Sequence, residues 1–382
     1  MPPRGLRGRG RVVIAVAEAG KLGGVRAAGP GVLSLYLTVP RNPADLRGLP
    51  ADADDLIAAA ESAAGASGGA APEDRQAVRE ELQVRGRDWL GRTVAMFACA
   101  GAGLFQALPL PGPLPDLAVL GIRPHIRPLL AVLQRYPAYR VAVVDRQHAW
   151  LFRIDGEETQ TMTAPAAGSV RNTSFGGWYG LETYRMEQRA ARLARRHYRD
   201  TAAMLEKATG HGDPEPLVIG GHHESVQQLL ASLPPALRER FAGSFAADTH
   251  TLTPARAREL AAPLASRWAG QRIERIAGQV LAMPPGGRAA TGLGACLAAV
   301  NECAAEILVV PDDGLVPGYE CGRCGALSVA ADGCPDQGAA ALPVPDLIEE
   351  MVTRTLEDGG QVFPLHDGPT RVAARLRFPV AR

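Results

Sequence analysis

Along most of this chain, short apolar runs rich in β-branched and aromatic residues alternate with longer Ala- and Arg-rich stretches, and that alternation constrains the fold more than any other feature. An isolated strand cannot satisfy its backbone or bury its apolar face, so such runs must pair into sheets covered by the intervening helices. The run from Gly31 to Pro40 (GVLSLYLTVP) lies between a Gly-Pro pair and a proline and reads as the first strand. Helices are expected over Asp52 to Ala64 and Pro72 to Leu90, the second opening with Pro-Glu-Asp, whose acids complement the helix dipole. Arg92 to Leu108 reads as two strands joined at a glycine turn, followed by a proline-rich crossing from Pro109 to Pro115.

A helix from Ile126 to Tyr136 ends in Tyr-Pro, a sequence that disfavours its continuation. The stretch Arg140 to Gly156 (RVAVVDRQHAWLFRIDG) then reads as a strand leading into a hairpin at Asp155-Gly156, with His148 on its solvent side. A long helix to Lys207, a strand from Pro216 to Gly220 and helices near Ser225 to Leu233 and Pro254 to Val280 follow. The last part reads as helix (Gly292 to Glu302), strand (Ala305 to Val310), cysteine-bearing insert (Glu320 to Gln337), helix (Pro345 to Gly359) and a closing strand (Gln361 to Pro364). The expected fold is mixed α+β in three domains, 1–137, 138–285 and 286–382, because 382 residues exceed what one core usually serves.

Charge excludes one class of function and localises another. Lys and Arg number 41 against 40 Asp and Glu, so the net charge of +1 supplies no whole-molecule attraction to nucleic acid and any RNA-binding surface must be local. One local candidate is present. Arg185, Arg189, Arg192, Arg196 and Arg199 recur in steps of four and three, which places five guanidinium groups on one helix face with Arg195 at its edge. Tyr184, Ala191, Ala194, Tyr198 and Leu205 form a second face suited to packing. The alternative for the stripe is a solvated face with ordinary helical ion pairs, since the chain is rich in Arg throughout.

Six cysteines, three of them between Cys321 and Cys334, do not form a secreted disulfide pattern, and a reducing cytoplasm is the expected setting. The apolar run Val12 to Ala17 is too short for a signal-peptide core, and about 18 uninterrupted apolar residues occur nowhere, so no membrane partner is expected. Cys321, Cys324 and Cys334 are candidate zinc ligands, but Gln337 stands where a fourth thiolate would, leaving an incomplete tetrahedral set that either Asp332 or Asp336 completes or that is an eroded knuckle with a structural turn; otherwise no cofactor is expected. Cys296 and Cys303, seven apart, read as core residues. Gly220-Gly221-His222-His223-Glu224 sits at a strand-to-helix turn and reads either as an anion-holding turn or as a plain polar one. A P-loop and a complete dinucleotide fingerprint are both absent from the sequence.

SLYL (34–37), AVVDRQHAWLF (142–152), FGGWYGLETYR (175–185) running into the Arg-rich helix, and the CGRCG and CPDQG pair together resemble the bacterial proteins related to archaeal and eukaryotic class I release factors, a group that includes Pelota-like and Vms-like ribosome-rescue proteins. The resemblance implies a three-domain release-factor-like architecture with a small Cys-bearing insert in the last domain. It implies ribosome, tRNA or rRNA as partner, a translational GTPase as a further one, and hydrolysis of the peptidyl-tRNA ester. In that family a glycine-rich loop carrying a glutamine enters the peptidyl-transferase centre. Gly176, Gly177 and Trp178 occupy the corresponding place here as the candidate catalytic loop, and no glutamine stands among them. Two readings therefore stay open, a peptidyl-tRNA hydrolase and a non-catalytic ribosome-binding factor. For the aromatics of the loop, stacking on an unpaired base and docking on their own domain also stay open.

Overall fold

The computed structural model describes residues 16–27, 31–64, 69–156, 158–162, 181–209, 214–249, 251–284, 287–331, 340–365 and 372–380; the side chains of Ala17, Ala64 and residues 181–187 are not described. The chain divides into two compact units, residues 1–134 with 272–382, and residues 135–271.

The first unit opens with helix α1 (Val16–Gly23) and strand β1 (Val32–Thr38), then helices α2 (Leu49–Ala64) and α3 (Pro72–Arg85), strands β2 (Thr93–Cys99), β3 (Leu104–Pro109) and β4 (Leu117–Gly121), and helix α4 (Arg127–Arg135). The four strands form an antiparallel sheet in the order β3-β2-β1-β4. Both faces of β1 are covered, which explains its unbroken apolar sequence. Leu33, Leu35 and Leu37 face a core shared with Ile57 of α2, Val78 and Leu82 of α3, and Trp89. On the other face Ser34 and Tyr36 grip the segment before α4: His125 N–H donates to Ser34 Oγ at 2.9 Å, and Tyr36 Oη–H donates to the His125 carbonyl at 2.6 Å. The strand β4 does not show in the sequence, because five residues directly after a proline-rich crossing give too short a pattern to read.

The second unit comprises strands β5 (Tyr139–Val144), β6 (Ala149–Asp155) and β7 (Glu158–Met162), helix α5 (Leu181–Ala208), strand β8 (Leu217–Gly221), helices α6 (His223–Ser232) and α7 (Pro235–Arg238), strand β9 (Phe241–Phe245), and the part of helix α8 (Pro254–Leu281) up to residue 271. Its sheet runs β7-β6-β5-β8-β9, antiparallel on the β5-β6-β7 side and parallel on the β5-β8-β9 side. The stretch that reads as one strand from Arg140 is two. Asp145 accepts the backbone N–H groups of Gln147 and His148 through Oδ1, each at 2.6 Å, and this side-chain turn breaks the strand. His148 therefore lies in the turn and not on a strand face.

The remaining part of the first unit contains strand β10 (Ala289–Thr291), helix α9 (Leu293–Asn301), strands β11 (Ala305–Pro311), β12 (Gly318–Cys321), β13 (Leu327–Ser328) and β14 (Ala341–Val344), helix α10 (Leu347–Glu357), and strands β15 (Gln361–Leu365) and β16 (Ala373–Leu376). The larger sheet has the order β10-β16-β11-β15, with β11 and β15 parallel, and the insert forms its own small sheet, β13-β12-β14. Gln361 to Leu365 is thus an edge strand, and the last strand, β16, inserts beside β11. Residues 273, 277 and 280 of α8 pack with Ile307, Val309 and Phe363 in this unit's core. Cys296 is buried, and burial pushes its thiol up to about 12, whereas Cys303 is exposed with φ 54° in the turn after α9. The expectation that both are core residues fails because α9 ends at Asn301, so the helical spacing never reaches position 303.

Candidate nucleic-acid interface

Helix α5 has 28 residues, about 42 Å at the α-helical rise. Its two halves meet different surroundings. From Thr201 onward the helix is rooted: Ala202 and Leu205, with Tyr198 just before, pack against Ala142, Val144, Leu151, Leu217 and Ile219 of the sheet. Tyr198 Oη–H donates to Ser225 Oγ of α6 at 3.1 Å, fixing the level at which burial begins. Between residues 188 and 196 no side chain is buried, and only Leu193 and Ala194 are partly covered. Ala191, expected on the packing face, is exposed. Ala194 packs on the edge of this core, and the other described side chains of the stretch leave it as a largely exposed helical arm.

Arg189, Arg192, Arg195 and Arg196 are exposed on this arm, and Arg199 is exposed just beyond it. Arg196 has an acid nearby, Asp200 Oδ2 at 3.7 Å from its Nε, and Arg199 Nε–H donates to the Arg195 carbonyl at 3.4 Å. An exposed helical ion pair at that distance contributes only a few tenths of a kcal/mol, so it does not neutralise the stripe. Arg185 lies on α5, but its side chain is outside the described residues, as are Gly176, Gly177 and Trp178 entirely. By chain connection the glycine pair stands four to five residues before the start of α5.

The carboxyl end of β5 carries Asp145, whose Oδ2 also accepts from the Thr249 hydroxyl and faces His148 Nδ1 at 3.3 Å. Burial pushes this carboxyl up, but Thr249 and the two turn amides outweigh it and hold it below the ordinary range. Asp145 is therefore committed to shaping the turn. At Gly221 (φ +146°) a Cβ would fall 2.3 Å from the Val144 carbonyl, so the Gly-Gly pair serves the close approach of β8 to β5.

Cys321 is buried in β12 and Cys324 is exposed, in a tight turn where the Cys321 carbonyl accepts the Gly325 N–H at 2.9 Å; Cys334 lies outside the described residues.

A charged cluster that the sequence reading does not single out lies inside the first unit. Arg26, Arg123, His125 and Arg127 meet Glu320, Asp346, Glu349 and Glu350. Arg127, fully buried, donates from Nη2 to Asp346 Oδ2 at 2.8 Å and from Nη1 to the Pro311 carbonyl at 2.9 Å. Glu349 Oε1 accepts the Ile126 N–H at 2.7 Å, and Oε2 lies 2.9 Å from His125 Nδ1. Burial raises the Glu349 carboxyl, but His125 and Arg127 more than compensate and hold it low. His125, Asp346 and Glu349 are metal-ligating residue types brought close together. However, all four carboxylate oxygens already accept donors, Arg127 on Asp346 Oδ2, Val316 and Ile348 N–H on Asp346 Oδ1, and Ile126 and Arg127 N–H on Glu349, so a cation would have to displace Arg127 and is not accommodated. The available signal is two consecutive acids inside the otherwise apolar helix sequence LIEEMV.

Residues 124–270 match the family model described as bacterial archaeo-eukaryotic release factor family 10. No curated protein matches the chain. Among solved structures, it is similar to Archaeoglobus fulgidus Pelota (14% identity over 76% of this chain and 81% of that one, TM-score 0.37). It is also similar to Dom34 of S. cerevisiae, a translation termination-like factor (9% identity, 76% and 80%, TM-score 0.39), and to the archaeal translation termination factor aRF1 (15% identity, 94% and 95%, TM-score 0.22). Among the described residues no helix is long and apolar enough to cross a membrane.

Proposed function

We propose that this chain, which is related through residues 124–270 to the bacterial archaeo-eukaryotic release factors, is a translation release- or rescue-type factor that binds the ribosome or tRNA through the arginine face of α5. The observation that carries this reading is the arm itself: Arg189, Arg192, Arg195, Arg196 and Arg199 are exposed, and the stretch of helix from 188 to 196 buries none of its side chains. A row of hydrated guanidinium groups at helical spacing suits a phosphate backbone, where each neutralised phosphate releases counterions. The glycine pair at Gly176-Gly177 precedes the arm in the chain, so a helix that docks on RNA would carry that loop with it.

Two modes of action fit this reading. In the first, the loop brings backbone close to the peptidyl-tRNA ester and orients water, which needs glycine conformations and no titrating side chain. In the second, the chain binds without cleaving, a reading favoured by Trp178 and Tyr179 following the glycines where the related factors carry a glutamine. The deciding experiment incubates the full chain with ribosomes carrying labelled peptidyl-tRNA and scores co-sedimentation and ester cleavage separately. Binding with cleavage supports the hydrolase, binding without cleavage supports the second reading, and absence of binding at low salt overturns the proposal.

A further inference from the structure

Glu349 and Glu350 are consecutive, both nearly fully buried on α10, and their surroundings are opposite. Glu349 accepts backbone N–H groups on both oxygens and faces His125 and Arg127. Glu350 has no such support. Its Oε2 lies 3.2 Å from Arg123 Nε, yet the two are not aligned as a hydrogen bond and both atoms are left without a partner. The Arg123 guanidinium is turned elsewhere, with Nη1 on Glu357 Oε1 at 3.2 Å and on the carbonyls of Gly23 and Gly24 at 3.5 Å. The charged groups that face Glu350 are Arg123 from the segment before α4, Arg26 from the stretch after α1, Glu320 from β12, and Glu349 from α10 itself. Arg26 is already occupied, since both its terminal nitrogens donate to Glu320, at 2.9 and 2.6 Å.

The same place is where the two separate stretches of the first unit are fastened. All the cations named above come from residues 26–127, and the acids of the cluster from residues 320–350. Ile126 and Gln134 also bond across, to Glu349 Oε1 at 2.7 Å and to the Val362 carbonyl at 2.6 Å. Packing is close across the joint: a Cβ at Gly23, which already meets Ile126 Cδ1, would fall 3.3 Å from Thr353 Oγ1 of α10. A negative charge on Glu350 thus sits in a closely packed joint beside two further carboxylates, with Arg123 Nε 3.2 Å from Oε2 but not aligned to donate to it.

We propose that Glu350 is a proton-dependent switch on this joint, which holds the segment before α4 against α10 firmly when the carboxyl is protonated and loosens when it ionises. Burial is the main cause of its raised pKa, about 7 against an ordinary 4.5, with Glu320 and Glu349 adding to it and Arg123 and Arg26 opposing. A carboxyl raised in the folded state contributes stability that is complete below about 4.5 and is lost as the pH rises through about 7. Local opening of the joint is therefore expected to become several tens of fold more frequent between roughly pH 5 and pH 8.

The test uses the full chain. The side-chain carboxyl carbon of Glu350, assigned by comparison with Glu350→Gln, is followed by NMR from acid to mild base, and hydrogen exchange of residues 121–127 and 347–357 is measured over the same range after correction for intrinsic rates. The expected result is a near-neutral titration, with exchange that rises with pH in the parent and stays flat in Glu350→Gln. Glu349→Gln should instead open the joint at every pH, because it removes a well-supported charge. Titration of Glu350 in the ordinary carboxylate range, or the same exchange profile in Glu350→Gln as in the parent, overturns the proposal; the native-chain titration decides the matter even if a variant folds poorly.

Discussion

Two sets of arginines in this molecule show how far surroundings decide what a residue type does. On α5, Arg189, Arg192, Arg195, Arg196 and Arg199 are exposed, and among the described residues one carboxylate, Asp200, pairs with them at 3.7 Å. Inside the first unit, Arg127 is fully buried, with Asp346 and backbone carbonyls around it, and Arg123 is nearly so, between Glu350 and Glu357. The first set keeps its hydration and is available to a phosphate backbone. The second has given its hydration up and holds two distant parts of the chain together, so its loss leaves buried acids without counter-charge. Counting arginines in a chain this rich in them distinguishes neither role.

The largest effect that separates the sets should come from Arg127→Ala. Removing one member of a buried ion pair costs about 3–5 kcal/mol, so denaturant unfolding should shift strongly, and Arg127→Lys should rescue little because an ammonium cannot span Asp346 and the carbonyls as the guanidinium fork does. A shift within about 0.5 kcal/mol would make the buried set as dispensable as a surface set. Next comes replacement of Arg189, Arg192, Arg196 and Arg199 together by Ala. Ribosome binding should fall and its salt slope flatten by about 0.7 to 0.9 for each phosphate that is no longer neutralised, with unfolding nearly unchanged. Equal slopes in variant and parent would break the comparison from the other side.

Gly177→Val sharpens the second half of the proposal. If the parent releases peptide, this variant should lose release and keep binding, since a β-branched residue disfavours positive φ while the arginines stay in place. The smallest effect is expected from Asp200→Asn, which removes the acid beside Arg196. Binding should tighten by no more than about 0.5 kcal/mol, and a loss of affinity would show that Asp200 orients the stripe instead of merely diluting it.

Much of the fold is legible where a pattern is long. Pro254 to Val280 reads to within one residue of α8, and the arginine steps place five guanidinium groups on one face of a helix from spacing alone. Short elements are not legible. The strands β4, β9 and β16, of four or five residues each, carry too few positions for periodicity to declare itself. The turn at Asp145 escapes because its cause is a side-chain hydrogen bond, which alternation does not encode. The candidate interface residues of α5 are visible by spacing; that Ala191 is exposed while Ala194 packs on the core is not, because both fit a packing face equally well in sequence.

The sequence by itself determined the mixed α+β character, the order of most long elements and the presence of a basic helix face, because these follow from local periodicity, capping and charge within a few residues of one another. Only the tertiary structure decided which stretches share a core. Residues 26–127 and 320–350, separated by more than half the chain in places, meet through Arg26–Glu320, Arg123–Glu350, His125–Glu349 and Arg127–Asp346. The same step decided the fates of the neighbours Glu349 and Glu350, identical in sequence terms and opposite in surroundings. A charge's energy depends on what desolvates it and which donors reach it, and both come from residues hundreds of positions away.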